Sequence, residues 1–539
     1  MQPAYDFDFI VIGSGFGGSV SAHRLTEKGY RVGVLEMGKR YRQDDFPETN
    51  WNARKFLWGP ALKLHGFFRM SLFRHAWVLS GVGVGGGSLV YANTLLVPPD
   101  RVWTDDKWRH LEDWKSVMPR FYDTARQMLG VTTNPYLGEA DKILQESAKE
   151  QGFGETFYPT EVGVFFGESG KTVPDPYFGG NGPPRSGCTL CGGCMVGCRY
   201  NAKNTLDKNY LYFAEKQGAQ VIPETLAVDV KPLNGKEDGR DGYQIETVSA
   251  TRWLKRKKIF RTRGVVFAGG VLGTVKLLAE ARARGSLPNL SDQVGEFVRT
   301  NSESIIGVRM NDRKIDMSDG IAIGSGVHIN ADTHIEAVRY PKGSDALAGS
   351  STLLTHGEPG LRRILAWLGQ VISHPWKSLK AISPGGWAQS SIILLVMQTL
   401  DSHIRMRLVR SIFPPFRRKL QTHGPRIPTY IPAANRFAEK MGEQFGGTPL
   451  TALTEIIFNV PTTAHILGGA AMGANARDGV IDSHNRVFNY KNMYVCDGSM
   501  IGANLGVNPS LSITALSEHA MSAVRPAGET DWNESGRPS

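Results

Sequence analysis

Residues 6–40 read DFDFIVIGSGFGGSVSAHRLTEKGYRVGVLEMGKR. Phe9 to Ile12 is a short apolar run that enters a glycine-rich turn, after which Val20, Ala22 and Leu25 recur among polar positions at helical spacing. Tyr30 to Leu35 reads as a second strand and ends on Glu36. Gly13, Gly15 and Gly18 stand in G-x-G-x-x-G spacing between strand and helix, with Phe16 and Gly17 completing the turn. The first glycine serves the tight turn, the second lets backbone approach a pyrophosphate, and the third lets the helix pack closely on the sheet. The helix N-terminus adds free N–H groups and the positive end of its dipole. Glu36, eighteen residues after Gly18, is placed to accept from a ribose, and its charge opposes a 2′-phosphate. The glycines alone say little. Strand, turn, helix and acid-tipped strand together predict an α/β dinucleotide-binding unit.

At 539 residues the chain is long enough for two packed domains. A net charge of +11 and a pI near 9.3 suggest an acidic partner surface. The basic tract RWLKRKKIFRTR from Arg252 leads straight into an apolar strand and matches no nucleic-acid module, so it is read as a solvated edge strand and no nucleic-acid partner is expected. The first strand begins too early to leave room for a signal peptide, and no apolar run is long enough to span a bilayer. Five cysteines, four of them bunched, do not form a secreted disulfide framework. A cytoplasmic location is expected.

Ser80 to Pro99 reads SGVGVGGGSLVYANTLLVPP, too dense in glycine for a helix or strand interior and suited to backbone lying flat on a ring or phosphate. The last hundred residues carry TTAHILGGAAMG and DSHNRVFNYKNMYVCDGSMIGANLGVNPSLSITALSEHAM. With the opening motif, these segments resemble the glucose–methanol–choline (GMC) family of flavoprotein oxidoreductases, and within it the bacterial cholesterol oxidase branch. The resemblance implies a Rossmann-like FAD-binding domain (1–45, 76–100, 200–305 and 455–525). Interleaved with it would be an α+β substrate domain built on an antiparallel sheet (46–75, 101–199 and 306–454). The polar tail, 526–539, is expected to be disordered.

By the same resemblance, Gly83, Gly85, Gly86, Gly87, Ser88 and Asn93 run beside the flavin ring and Val228 touches the adenine. Gly269 belongs to a second strand–glycine–helix unit, while Asp497, Gly498, Asn508 and Pro509 close the site. No histidine lies in the glycine-rich segment 81–93, so FAD is expected to be non-covalent.

Oxidising an alcohol on flavin needs a base for the hydroxyl proton and donors for the developing oxygen charge. His465 and Asn508 fall on the family motifs that place an imidazole and an amide above the flavin. Glu336, in THIEAVRYPKGSD, sits in a segment resembling the one that carries the branch's active-site glutamate, a base that also moves a proton in Δ5 to Δ4 isomerisation. His334 and Glu455 are rival candidates. The expected reaction is oxidation of a secondary alcohol, the 3β-hydroxyl of cholesterol or another steroid, with dioxygen or another acceptor taking the electrons. A long-chain or terpenoid alcohol, or a flavoprotein that binds sterol or membrane without turnover, stay open as alternatives.

Cys188, Cys191, Cys194 and Cys198 form C-x2-C-x2-C-x3-C, the spacing of a bacterial ferredoxin run, with Arg199 where proline usually follows. The alternatives are an iron–sulfur cluster that would carry electrons singly, and a structural or redox-active group of thiols. Residues 63–77 read as a packed helix or lid, or as a segment touching lipid. Residues 360–420 interleave Arg and Lys with bulky apolar side chains, as in peripheral docking on anionic lipid or a core helix with a solvated cationic face.

Overall fold

The computed structural model describes residues 5–253, 255–312, 314–411, 418–530 and 532. Its first layer is a seven-stranded sheet in the order Gln220–Ile222, Val32–Leu35, Phe7–Ile12, Lys257–Phe267, Tyr243–Ser249, Thr225–Pro232, with Met493–Val495 also paired to Lys257–Phe267. The strands around Phe7–Ile12 run parallel, and the last two pairs are antiparallel. Continuous apolar runs such as Val32–Leu35 suit strands covered on both faces, and all four of its residues are buried. Gly13 adopts φ +109°, a left-handed conformation that Cβ-bearing residues rarely take, and so turns the opening strand into helix Phe16–Glu27. A Cβ on Gly17 would lie 2.0 Å from the Cys496 carbonyl, so this helix presses directly on the chain leaving Met493–Val495.

The second layer is a seven-stranded sheet in the order Ser351–Leu353, Gly447–Ala452, Ser304–Met310, Ser391–Gln398, Thr333–Val338, Ile323–His328, Phe157–Pro159, antiparallel throughout. Helices Glu139–Glu150 and Pro432–Gln444 bury Ile143, Leu144, Phe437 and Met441 against Val308, Ile335 and Leu394. The fold is α/β, as the sequence predicts.

Several local expectations need correction. Helix Trp114–Leu129, placed with the substrate domain by sequence, packs in the first core: Trp114, Phe121 and Tyr122 join the cluster of Phe9 and Leu511, and the Tyr122 hydroxyl lies 2.8 Å from Ser512 Oγ. Residues 63–77 are not a helix. They lead from Leu64–His65 into Phe68–Leu72, which pairs antiparallel with Trp77–Gly81. In the basic tract Lys257 and Lys258 are solvated and pair with Tyr243–Ser249, and the same strand runs on beyond the tract into Val265–Phe267, which lie buried between two parallel neighbours.

Within 360–420, Leu361–Ser373 and Pro375–Ile382 are helices, but Arg405–Arg410 and Arg418–His423 form a β-hairpin; Ile412, Phe413, Phe416 and Arg417 lie outside the described residues. The tail is ordered at least to Thr530, and Trp532 sets its ring 5.6 Å from Phe9 and 5.7 Å from Tyr30. That aromatic packing overrides the polar composition around it. Residues 531 and 533–539 lie outside the described residues.

Candidate active site

Four polar side chains from separate elements meet where the two sheets adjoin. Glu336 comes from the middle of Thr333–Val338, fully buried by its neighbours Ile323–His328 and Ser391–Gln398. Asn508 precedes helix Ser510–Ser522 and donates from Nδ2 to Glu336 Oε2 at 3.1 Å. His465 follows the short strand Thr462–Thr463, and its Nδ1 lies 2.5 Å from Oε1 of Glu303, the residue before Ser304–Met310. With the ring protonated the contact is an ion pair. Glu303 Oε2 accepts from the Ala464 backbone at 2.8 Å, which fixes the carboxylate under the imidazole loop.

Electrostatics set these groups apart. Burial pushes the Glu336 carboxyl up to about 7, and neighbouring Glu303 adds to the rise, while Asn508 and His465 oppose it. Burial would lower His465, but Glu303 and Glu336 together outweigh it, so the imidazole holds its proton above its ordinary range. Oε1 of Glu336 and Oδ1 of Asn508 are buried without a partner. Unpaired buried polar atoms cost about 1–3 kcal/mol each, and their convergence marks a place built to receive a polar atom.

The rivals have other work. Glu455 accepts from Ser304 Oγ at 3.0 Å, the Ile305 N–H at 3.1 Å and Thr451, tying strands Ser304–Met310 and Gly447–Ala452 together. His334 takes the Tyr158 hydroxyl at 2.7 Å and stacks on His328; burial pushes its imidazole down to about 3, which keeps it neutral.

The residues expected to hold the dinucleotide form a cradle. Gly86 approaches Gly15 so closely that a Cβ on it would lie 2.6 Å from the Gly15 Cα. A Cβ on Gly15, Gly270 or Gly273 would meet only open space. The Asn93 side chain is fully buried with both polar atoms unpartnered. Helix Phe16–Glu27 has no side-chain cap on its N-terminus. A groove walled by glycine backbone, with a free helix end and an orphaned amide, suits a flavin dinucleotide.

Glu36 is engaged within the protein: Ser14 N and Oγ, Gly38 N and Gly83 N all donate to it, tying the first turn to the 81–93 segment. Asp497 is likewise held, by Thr274 Oγ1 at 2.5 Å and Ser499 N at 2.8 Å. Val228 lies at a β-bulge and gives its carbonyl to Arg284. The cysteine run forms a separate group, with Cys188, Cys194 and Cys198 packed against Val162, Val164, Ala202 and Ile321.

Sequence reasoning missed Glu303, an acid in an unremarkable polar stretch. It also missed Asn301, which accepts from Gly506 N at 2.9 Å and donates to the Val507 carbonyl at 3.0 Å, setting the loop before Asn508. Pairing at such sequence separation leaves no local signal.

A family model described as GMC oxidoreductase matches residues 398–517, and one described as NAD(P)-binding Rossmann-like domain matches 11–42. Over 98% of its length the chain is 54% identical to a cholesterol oxidase of Acinetobacter baumannii, covering 95% of that protein. The chain belongs to the GMC oxidoreductase family. This GMC oxidoreductase is also 47% identical to a cholesterol oxidase of Mycobacterium tuberculosis, over 98% of this chain and 93% of that one. A long-chain-alcohol oxidase of Arabidopsis thaliana matches at 23% identity over 94% of this chain and 66% of its own. Among solved structures, pyridoxine 4-oxidase from Mesorbium loti superposes with a TM-score of 0.62 at 14% identity, over 96% of this chain and 98% of that chain; this likeness speaks to the fold. Membership makes the chain an FAD-dependent oxidoreductase.

Proposed function

We propose that this GMC oxidoreductase oxidises the 3β-hydroxyl of cholesterol or another steroid to the 3-ketone, with dioxygen as the final acceptor. The observation that carries the reading is the Glu336–Asn508 pair beside His465. Two orphaned oxygens and an imidazole converge at the sheet junction, as one hydroxyl oxygen and one movable proton require. Bound FAD would supply the hydride acceptor. The rest falls to the chain. His465 takes or orients the hydroxyl proton, with Glu303 steadying the charge that the ring gains. Asn508 Nδ2 carries a second N–H for the substrate oxygen. Glu336, poised near neutrality by burial, moves the proton in Δ5 to Δ4 isomerisation.

Substrate access is supported by a cleft of about 930 Å³ lined in part by Leu96, Tyr158, Ile329 and Val507, the last adjoining Asn508. A sterol must be taken from a bilayer, and no helix among the described residues is long and apolar enough to cross one. Helices Leu361–Ser373 and Pro375–Ile382 suit peripheral contact: Leu361, Leu365, Leu368, Ile372, Trp376 and Leu379 are 40–81% exposed, beside exposed Arg362 and Lys377.

Anaerobic addition of cholesterol, dehydroepiandrosterone or decanol to the flavin-loaded protein tests the reading. Bleaching of the flavin by the steroids, with recovery and peroxide formation on admitting air, is expected. Bleaching by decanol alone would assign a long-chain alcohol instead, and no bleaching by any of the three would remove the enzymatic reading.

A further inference from the structure

Cys188, Cys191, Cys194 and Cys198 are free thiols that the proposed oxidation does not use. The backbone around them is turned toward the sulfurs. Leu190, Gly192 and Gly197 adopt φ of +55°, +66° and +90°. Left-handed residues in such loops rotate N–H groups to one side and form anion-binding concavities, as at many phosphate and iron–sulfur sites. Here Leu190 N donates to Cys188 Sγ at 3.4 Å. A leucine in this conformation is strained, and a loop keeps such strain where the conformation serves a bound group.

The charge around the run points the same way. Arg185 and Lys203 are 2% and 1% exposed. Arg185 donates to the Asn201 and Lys203 carbonyls and to the Asn204 amide. Lys203 Nζ donates to the carbonyls of Leu89, Tyr91 and Cys194 at 3.0, 3.0 and 2.7 Å. Half-buried Lys208 joins them at the Lys203 carbonyl, 3.4 Å away. Among the described residues, none of the three cations has a carboxylate within ion-pair distance, and Asp207 is the acid they sense. Buried positive charge of this kind suits a bound group of net negative charge.

Zinc fits poorly. Tetrahedral ligation at about 2.3 Å would draw the sulfurs to within about 4 Å of one another. Among the described residues, the group of three metal-ligand atoms that comes within 4.8 Å is Glu112, His484 and His519, not the cysteines.

We propose that Cys188, Cys191, Cys194 and Cys198 bind an iron–sulfur cluster, with Arg185, Lys203 and Lys208 balancing its charge. Lys203 links the cluster loop to residues 89–91, so the cluster lies one side chain away from the glycine-rich 81–93 segment.

Iron, zinc and acid-labile sulfide in the anaerobically purified full chain test this, with Cys188→Ser and Cys198→Ser purified alongside. About four irons and four sulfides per chain, or about two of each for the smaller cluster type, are expected, with an electron paramagnetic resonance signal on dithionite reduction. Both variants should lose iron and sulfide while keeping FAD. If a variant does not fold, the wild-type iron, sulfide and resonance signal decide alone. Zinc without sulfide, metal-free protein with four titratable thiols, or a disulfide within the run each overturns the proposal. These readouts are independent of any substrate.

Discussion

Nδ1 of His465 and Oε1 of Glu303 lie 2.5 Å apart, with Glu303 wholly buried. A buried carboxylate beside an imidazole holds the proton on the ring and fixes which nitrogen faces outward. The pair spans 162 positions of sequence, from the start of an interior strand of the antiparallel sheet to the loop after Thr462–Thr463. Glu303 touches the imidazole rather than the proposed substrate position, which makes it a positioning residue.

Glu303→Gln therefore has a signed outcome. Burial lowers the His465 pKa, and the Glu303 carboxylate with Glu336 more than offsets it, so the ring is deprotonated later as pH rises. If the neutral ring takes the substrate proton, the acid limb of kcat/KM sits above the ordinary histidine range. Removing the carboxylate should move that limb to lower pH and reduce kcat by about tenfold or more. FAD content should stay unchanged. A lower rate with an unmoved acid limb would reduce Glu303 to a structural support.

Glu336→Gln should stabilise the protein while disabling it. The folded-state pKa is raised from 4.5 to about 7 by burial, so the native state holds more protons than the unfolded one between those values. Stability then falls as pH rises through that window and levels off above it, at a cost of about 1–3 kcal/mol. Glutamine carries no charge to desolvate and keeps an oxygen for Asn508 Nδ2. Thermal melts should show the variant above wild type at pH 8 and level with it at pH 4, with isomerisation of the steroid product lost. Equal melting temperatures at pH 8 would mean that water or a cation already neutralises the buried carboxylate.

The nucleotide-binding layer was legible because its signals are local. Gly13, Gly15 and Gly18, a strand on either side of the helix, and the alternation into Glu36 all lie within one supersecondary unit. His465, Asn508 and Glu336 could be named, since each sits in a segment resembling a family motif, but the contact between Asn508 and Glu336 could not. Glu336 and Asn508 touch only because Thr333–Val338 crosses beside the loop that Asn301 holds. Composition misled where tertiary packing decides: Trp532 draws a polar tail onto Phe9, and Phe68–Leu72 forms a ladder with Trp77–Gly81 in a stretch that reads as a helix.

Gly86 and Gly87 are adjacent but respond differently to a methyl group. At Gly86, φ is +52° and a Cβ would sit 2.6 Å from the Gly15 Cα, so Gly86→Ala must push the two cradle segments apart. At Gly87 the nearest atom is Cε2 of Phe16 at 3.6 Å, an ordinary contact. The ratio of flavin to protein absorbance after gel filtration should fall severalfold for Gly86→Ala and stay near wild type for Gly87→Ala. Equal retention in both would show that FAD does not depend on this close approach.

Leu361, Leu365, Leu368 and Ile372 form one stripe along helix Leu361–Ser373, and Trp376 and Leu379 continue it on Pro375–Ile382. Spacing of four, three and four residues aligns them on a single face. Exposed Arg362 and Lys377 supply the cationic flank that favours anionic headgroups. Replacing Leu365, Ile372 and Trp376 together by aspartate alters no packed core, so the fold and the turnover of detergent-dispersed steroid should hold. Co-sedimentation with vesicles containing phosphatidylglycerol should weaken by about tenfold or more, since each buried apolar side chain contributes about 1.5–3 kcal/mol. Oxidation of cholesterol presented in those vesicles should fall in parallel. Undiminished vesicle binding would move the contact elsewhere, with exposed Leu62, Met70 and Leu72 as the next face to vary.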